Sequence, residues 1–295
     1  MNLNRVLSDR LAGIWMIICL STILALPLII CAGLYFKAAP LIGQQSLYSL
    51  VFLSKWAPSA GEFGFWPFIA GSLYVTLISF LLTLPVCLFA AIYLTRFSSP
   101  ALIRIMHPVI DVLAGLPSVI YGVWGVLIVV PAVSGFIAPF FGSSSPGYSV
   151  LAGGIVLSIM CIPYVLNMLI EVFKTVPNGL IEASLSVGAT HWQAVKHVIL
   201  RGNIPGIISS YGLGISKAFG ETIAVMMVVG NVVNITANPF DAAYPLPALI
   251  ANNYGEMLSI PMYDSALMFA AFLLLVIILF FNLIFRYLIH KIKKQ

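Results

Sequence analysis

The sequence predicts an all-α integral membrane protein with six transmembrane helices. Three observations predict it. Of 295 residues, 61% are hydrophobic and 8% charged, whereas soluble domains carry roughly a quarter charged residues. Leu11–Phe36 and Phe63–Thr95 hold no charge, and nothing between Asp111 and Glu171 is charged. These runs are continuously apolar without alternation, which suits helices and excludes a barrel.

A helix crosses the bilayer with about 20 apolar residues, so the third uncharged stretch holds two spans and a loop. The expected spans are Gly13–Phe36, Phe68–Leu94, Val109–Val130, Val150–Val172, Ile204–Val229 and Ser265–Leu288. The first is too long for a signal-peptide core and lacks a clear small-residue cleavage site, so it is kept as a span. Pro85, Pro117 and Pro163 should kink spans two, three and four, because proline removes a helical hydrogen bond. The break at Pro117 would expose backbone near Ser118 and Tyr121.

Basic residues orient the spans. Eleven Lys and Arg, among them Arg96, Arg104, Lys174 and Arg201, fall on one side, and Lys37 and Lys55 on the other. The positive-inside rule then places both termini in the cytoplasm. The net charge of +5 follows from this bias and implies no nucleic-acid partner. Cys19, Cys31, Cys87 and Cys161 all fall within spans, without disulfide or metal-ligand spacing, and read as buried apolar thiols. His107, His191, His197 and His290 are scattered and form no ligand set. No phosphate-binding Gly-rich loop occurs, since Gly212-Leu213-Gly214 lacks a following Gly-Lys-Ser/Thr. The sequon at Asn234 is set aside as a chance triplet.

Outside the membrane, Lys37–Pro67 is expected to be partly ordered against the outer face, and Pro131–Ser149 to be a turn region. Asn231–Asp264 should hold a short helix dipping towards the membrane. The cytoplasmic loop Phe173–Asn203 has a clear helical pattern. Pro177 and Asn178 start a helix that Gly188 stops, and Thr190 caps a second. That second helix should turn Trp192, Val195, Val198 and Ile199 inward and Lys196, His197 and Arg201 outward. Two short amphipathic helices under a membrane domain make a docking surface.

One feature stands out within the membrane. Lys217 and Glu221 lie four apart in the fifth expected span, where each charge costs about 2.5–3.5 kcal/mol. On a continuous helix they would share a face and pair. Such a pair either locks the helix to its neighbours or lines a solute route. In a route, Lys217 would attract an anion and Glu221 would neutralise it at rest. Gly212, Ser216 and Gly220 form a small-residue stripe suited to close helix contact. His107 and Asp111 could pair at the interface or take part in gating.

The loop reads Glu182-Ala183-Ser184, then Gly188, then Val198-Ile199-Leu200. This resembles the EAA signature of ABC importer permeases, in the loop that engages the ATPase. Residues 115–122, GLPSVIYG, and Gly220-Glu221-Thr222-Ile223-Ala224-Val225 with Gly230-Asn231 resemble stretches of phosphate permeases of the PstC type. Ala248 to Asn253 followed by Gly255-Glu256 is similar to that subunit's last outer loop. The chain departs from the pattern at Ser184, at Arg201, where the family has Pro, and at Lys217, where Arg is common.

The resemblance implies a type I, MetI-like permease domain over 68–288 with its coupling loop at 173–203. Residues 1–67 then form an N-terminal tail, first span and outer loop, and 289–295 a basic tail. It implies a pathway drawing on Lys217, Glu221, Thr222, Asp111, Ser118 and Tyr121, and ATPase contact through Glu182, Ala183, Ser184, Gly188 and Leu200. It also implies an A-type permease partner, two ATP-binding subunits that hold the ATP, and a phosphate-binding protein, with no cofactor in this chain. A permease for sulfate or molybdate and an ion-coupled carrier are the alternative readings.

Overall fold

A computed structural model describes residues 3–255 and 260–293, with 3–9 and 293 as backbone only. Glu256 of the outer-loop motif and the end of the basic tail lie outside the described residues. The chain is helical almost throughout. Helix α1 (Leu3–Gln44) is followed by α2 (Leu47–Phe52) and a small hairpin, β1 (Trp56–Ala57) and β2 (Glu62–Phe63), in which Trp56 faces Phe63. This orders the segment before the second span as expected. Helix α3 (Trp66–Ile92) runs on through a π-helical turn, Tyr93–Phe97.

Two features of the third span differ from expectation. Helix α4 (Pro100–Gly115) and α5 (Ser118–Trp124) are separate, broken at Leu116-Pro117. From α5 the helix continues past Pro131 through α6 (Val130–Ala132) and α7 (Ala138–Phe140), joined by π-helical turns. The membrane-length helix is therefore Ser118–Phe140, not Val109–Val130, and much of the expected turn region is helix. Pro131 and Pro139 each follow a π-helical turn, where the altered ladder accommodates the donor that proline lacks.

Helix α8 (Val150–Lys174) matches its predicted span and packs along α3. The loop then forms α9 (Asn178–Ser186) and α10 (His191–Ala194), the latter extended by a π-helical turn to Leu200. Gly188 has φ +85°, the left-handed turn that glycine supplies cheaply. Thr190 and Gln193 form a reciprocal capping box. Val195 and Ile199 are buried as expected, but Trp192 is 49% exposed. It sits one turn before the buried pair and faces off the body of the protein.

The fifth pass is not continuous. Helix α11 (Ile204–Phe219) stops, Gly220 to Thr222 leave the helix, and α12 (Ile223–Met226) follows. Among the described residues five helices are long and apolar enough to span by themselves, and this broken pass supplies the sixth crossing. Helix α13 (Leu246–Asn253) buries Leu246, Pro247, Ala248 and Leu249, as the dipping helix should, and α14 (Tyr263–Lys293) closes the fold.

Among the described residues the core forms four clusters, two of which sit where α3, α5, α8 and α12 meet. Phe65, Phe68, Leu246, Leu249 and Phe269 pack beside the β1–β2 hairpin. Leu166, Leu169, Phe173, Val195 and Ile199 pack under the α9–α10 loop. Helix α1 packs on α14, yet its most apolar window buries nothing. An apolar helix left bare in this way belongs in lipid or against another chain.

Candidate functional site

The polar residues of the membrane region are placed by the break in the fifth pass. At the end of α11 the Gly220 and Glu221 amides donate to the carbonyls of Lys217 and Ala218, 3.1 and 3.2 Å away. The chain then changes direction, so Glu221 no longer lies one turn above Lys217. The expected ion pair does not form. Among the described residues the ion pairs are Lys37–Asp264, Lys55–Glu62 and Lys174–Glu171. The Glu221 carboxylate instead accepts from the Ala224 amide at 3.2 Å, and it lines a void of about 10 Å³ with Ser72 and Thr76. Lys217 points elsewhere, its Nζ 4.7 Å from the centre of the Tyr164 ring. Ring faces attract cations.

Non-helical backbone at membrane depth is tolerated where it is buried in protein or borders water. Gly220 is exposed, while Lys217, Glu221 and Thr222 are half-buried. Lys217 lies ~20 Å along α11 from its start. Below it runs a polar stripe on two facing helices. On α8, Tyr164, Asn167 and Glu171 share one face at helical spacing; on α11, Ser209 and Lys217 do. Asn167, Glu171 and Ser209 border an open groove of about 430 Å³ together with Gly206. Asn167 and Tyr164 escaped sequence reasoning, although their spacing to Glu171 was the available signal.

Asp111 does not pair with His107. It accepts from Asn167 Nδ2 at 3.3 Å, joining α4 to α8. Ser118 opens α5, and Tyr121 is buried. Its hydroxyl donates to the Leu113 carbonyl at 2.7 Å, clamping α4 to α5 across the Pro117 break. Thr222 donates weakly to the Gly220 carbonyl, 3.4 Å away within the break. The small-residue stripe divides. A Cβ on Gly212 would meet Phe285 of α14 at 2.8 Å, and Ser216 donates to Asn282 at 2.9 Å. Gly220 faces no neighbour other than its own turn.

The coupling-loop residues form a separate group. Glu182 and Ala183 are exposed, Ser184 is half-buried with its carbonyl accepting from Ala189, and the Gly188 amide closes on Leu185. Leu200 ends the π-helical turn and packs on the core below. Glu182, Leu185 and His191 border a cleft of about 280 Å³.

The chain as a whole matches a known family. Residues 84–294 fit the model of the binding-protein-dependent transport system inner membrane component. The chain belongs to this family. It is an all-α, multi-pass inner-membrane permease subunit of an ABC importer, without an ATPase site of its own. The chain is 36% identical over 241 residues to the probable ABC transporter permease YqgH of Bacillus subtilis, covering 81% of this chain and 76% of that one. It is 32% identical to the phosphate transport system permease PstC of Xylella fastidiosa, covering 86% and 83%. It is also 32% identical to the probable PstC of Methanocaldococcus jannaschii, covering 87% and 86%. A chain of the inward-facing MetNI methionine ABC transporter superposes with TM-score 0.55 at 21% identity, covering 78% of this chain and 94% of that one. That likeness concerns the fold. The matched residues, 84–294, include both the broken fifth pass and the α9–α10 loop.

Proposed function

We propose that this permease imports inorganic phosphate, forming the pathway with a second, A-type permease and drawing power from two ATPase subunits. One observation carries the reading: Lys217 is a membrane-embedded cation whose sequence partner, Glu221, does not neutralise it. It is held on the face of Tyr164, a weak contact that an anion can outcompete. The relatives named as phosphate permeases support the substrate. A phosphate-binding protein delivers the anion from outside. It passes the broken fifth pass at Gly220 to Thr222, meets Lys217, and leaves along the stripe of Ser209, Asn167 and Glu171. Asp111, which joins no ion pair among the described residues, repels the anion there and favours its release.

In this scheme ATP binds the partner subunits only. Their closure moves α9, which presents Glu182, Ala183 and Ser184, and Gly188 lets the chain turn sharply behind it. Packed helices carry such motion as rigid bodies. Both termini and the α9–α10 loop lie in the cytoplasm, on the side with eleven of the basic residues. Affinity purification from membranes tests the assembly. Two ATPase copies per pair of permease chains are expected, and a transport-competent preparation free of ATPase would contradict it.

A further inference from the structure

We propose that Arg96 ties the coupling helix α9 to the spans α3 and α8, acting as a positioning residue that passes the movement of α9 into the membrane. This rests on the coupling role proposed above. Arg96 belongs to the π-helical turn that ends the second span, and it is half-buried. Its Nη2 donates to the Phe173 carbonyl at 2.5 Å and its Nη1 to Oδ1 of Asn178 at 3.2 Å. Phe173 lies in the last turn of α8, whose final carbonyls have no partner within the helix. A cation there also meets the negative end of the helix dipole. Asn178 is the first residue of α9. One side chain therefore joins the ends of two spans to the start of the coupling helix.

The attachment matters because α9 has little else to hold it. None of its residues is buried, and Pro177 before it offers no side-chain cap. Ile181 packs against the core beneath, which resists lifting but not sliding. Arg96 supplies the lateral restraint. Among the described residues it joins no ion pair, and its Nε is buried without a partner. Its two arms are thus committed to neutral acceptors on separate elements. A planar guanidinium spans both from fixed positions, whereas the single nitrogen of lysine cannot replace two separated donors.

The test uses the whole complex in proteoliposomes and measures ATP hydrolysed per phosphate imported. Asn178→Ala removes one acceptor at an exposed position and leaves the core intact. Losing a hydrogen bond to a charged group weakens the docked arrangement roughly tenfold, so the ratio should rise at least about threefold with hydrolysis retained. Asn178→Asp keeps the acceptor and should hold the wild-type ratio; Arg96→Lys should resemble Asn178→Ala. A wild-type ratio in Asn178→Ala overturns the tether, as does an equal rise in the Ala and Asp variants. Gly188→Pro in the same preparation separates the two levels. If it raises the ratio while Asn178→Ala does not, coupling stands and the tether falls. If neither moves the ratio, both fall.

Discussion

Replacing Lys217 with Gln removes the membrane-embedded positive charge while keeping a polar side chain of similar length. The Nζ lies 4.7 Å from the Tyr164 ring centre, a contact worth about 0.5–2 kcal/mol depending on its hydration. A phosphate oxygen about 4 Å from the ammonium gains about 4 kcal/mol per unit charge at an effective dielectric of about 20. The anion therefore outcompetes the ring by about 2–3.5 kcal/mol, on the order of a hundredfold in affinity. Initial uptake at phosphate well below saturation should fall by roughly that factor in Lys217→Gln. Lys217→Arg should stay within a few-fold, because the charge remains. Glu221→Gln should also stay within a few-fold, since its amide oxygen can still accept from the Ala224 amide and no ion pair is lost. Uptake is measured in cells at matched protein levels. Near-normal uptake in Lys217→Gln refutes the reasoning. An equal collapse in Glu221→Gln refutes it too, because the two side chains would then act as a pair.

Two further outcomes follow from the fold. Gly188 holds φ +85°, which proline cannot adopt, so Gly188→Pro should insert normally yet hydrolyse ATP with little uptake; wild-type coupling in vesicles contradicts the docking role. Cysteines at Ser59 and at Val187, which is 86% exposed, should report orientation. An impermeant thiol reagent added outside should label the first and spare the second, and labelling of Val187→Cys in intact cells inverts the topology.

The local chemistry of the coupling loop was legible in the sequence. Gly188, Thr190 and Gln193 act within a few residues of themselves, so their turn and cap follow from residue type. The break in the fifth pass was not legible. Ile204 to Val229 is apolar on average, and Gly220 reads equally well as a packing residue. What ends α11 there is tertiary, because beyond the break α12 packs on α5 and α8, while Glu221 lines its void beside α3. The pairing of Lys217 with Glu221 assumed an unbroken helix and failed with it.

The third span was misplaced for a related reason. Hydropathy alone runs through Pro117, but Arg104, His107 and Asp111 recur at helical spacing on one side of α4. Opposite them Ile110 is buried and Met106 packs on the core. That pattern marks an interfacial helix ahead of the span. The role of Asn167 depends on two helices meeting, which periodicity within either could not give.

The most direct test of phosphate import is accumulation of radiolabelled phosphate in proteoliposomes holding this chain with its co-purified subunits and the phosphate-binding protein. The account predicts uptake that requires ATP inside the coupling-loop compartment and persists when sulfate and molybdate are in excess. Uptake driven by an ion gradient without ATP, or accumulation of sulfate or molybdate in place of phosphate, contradicts it.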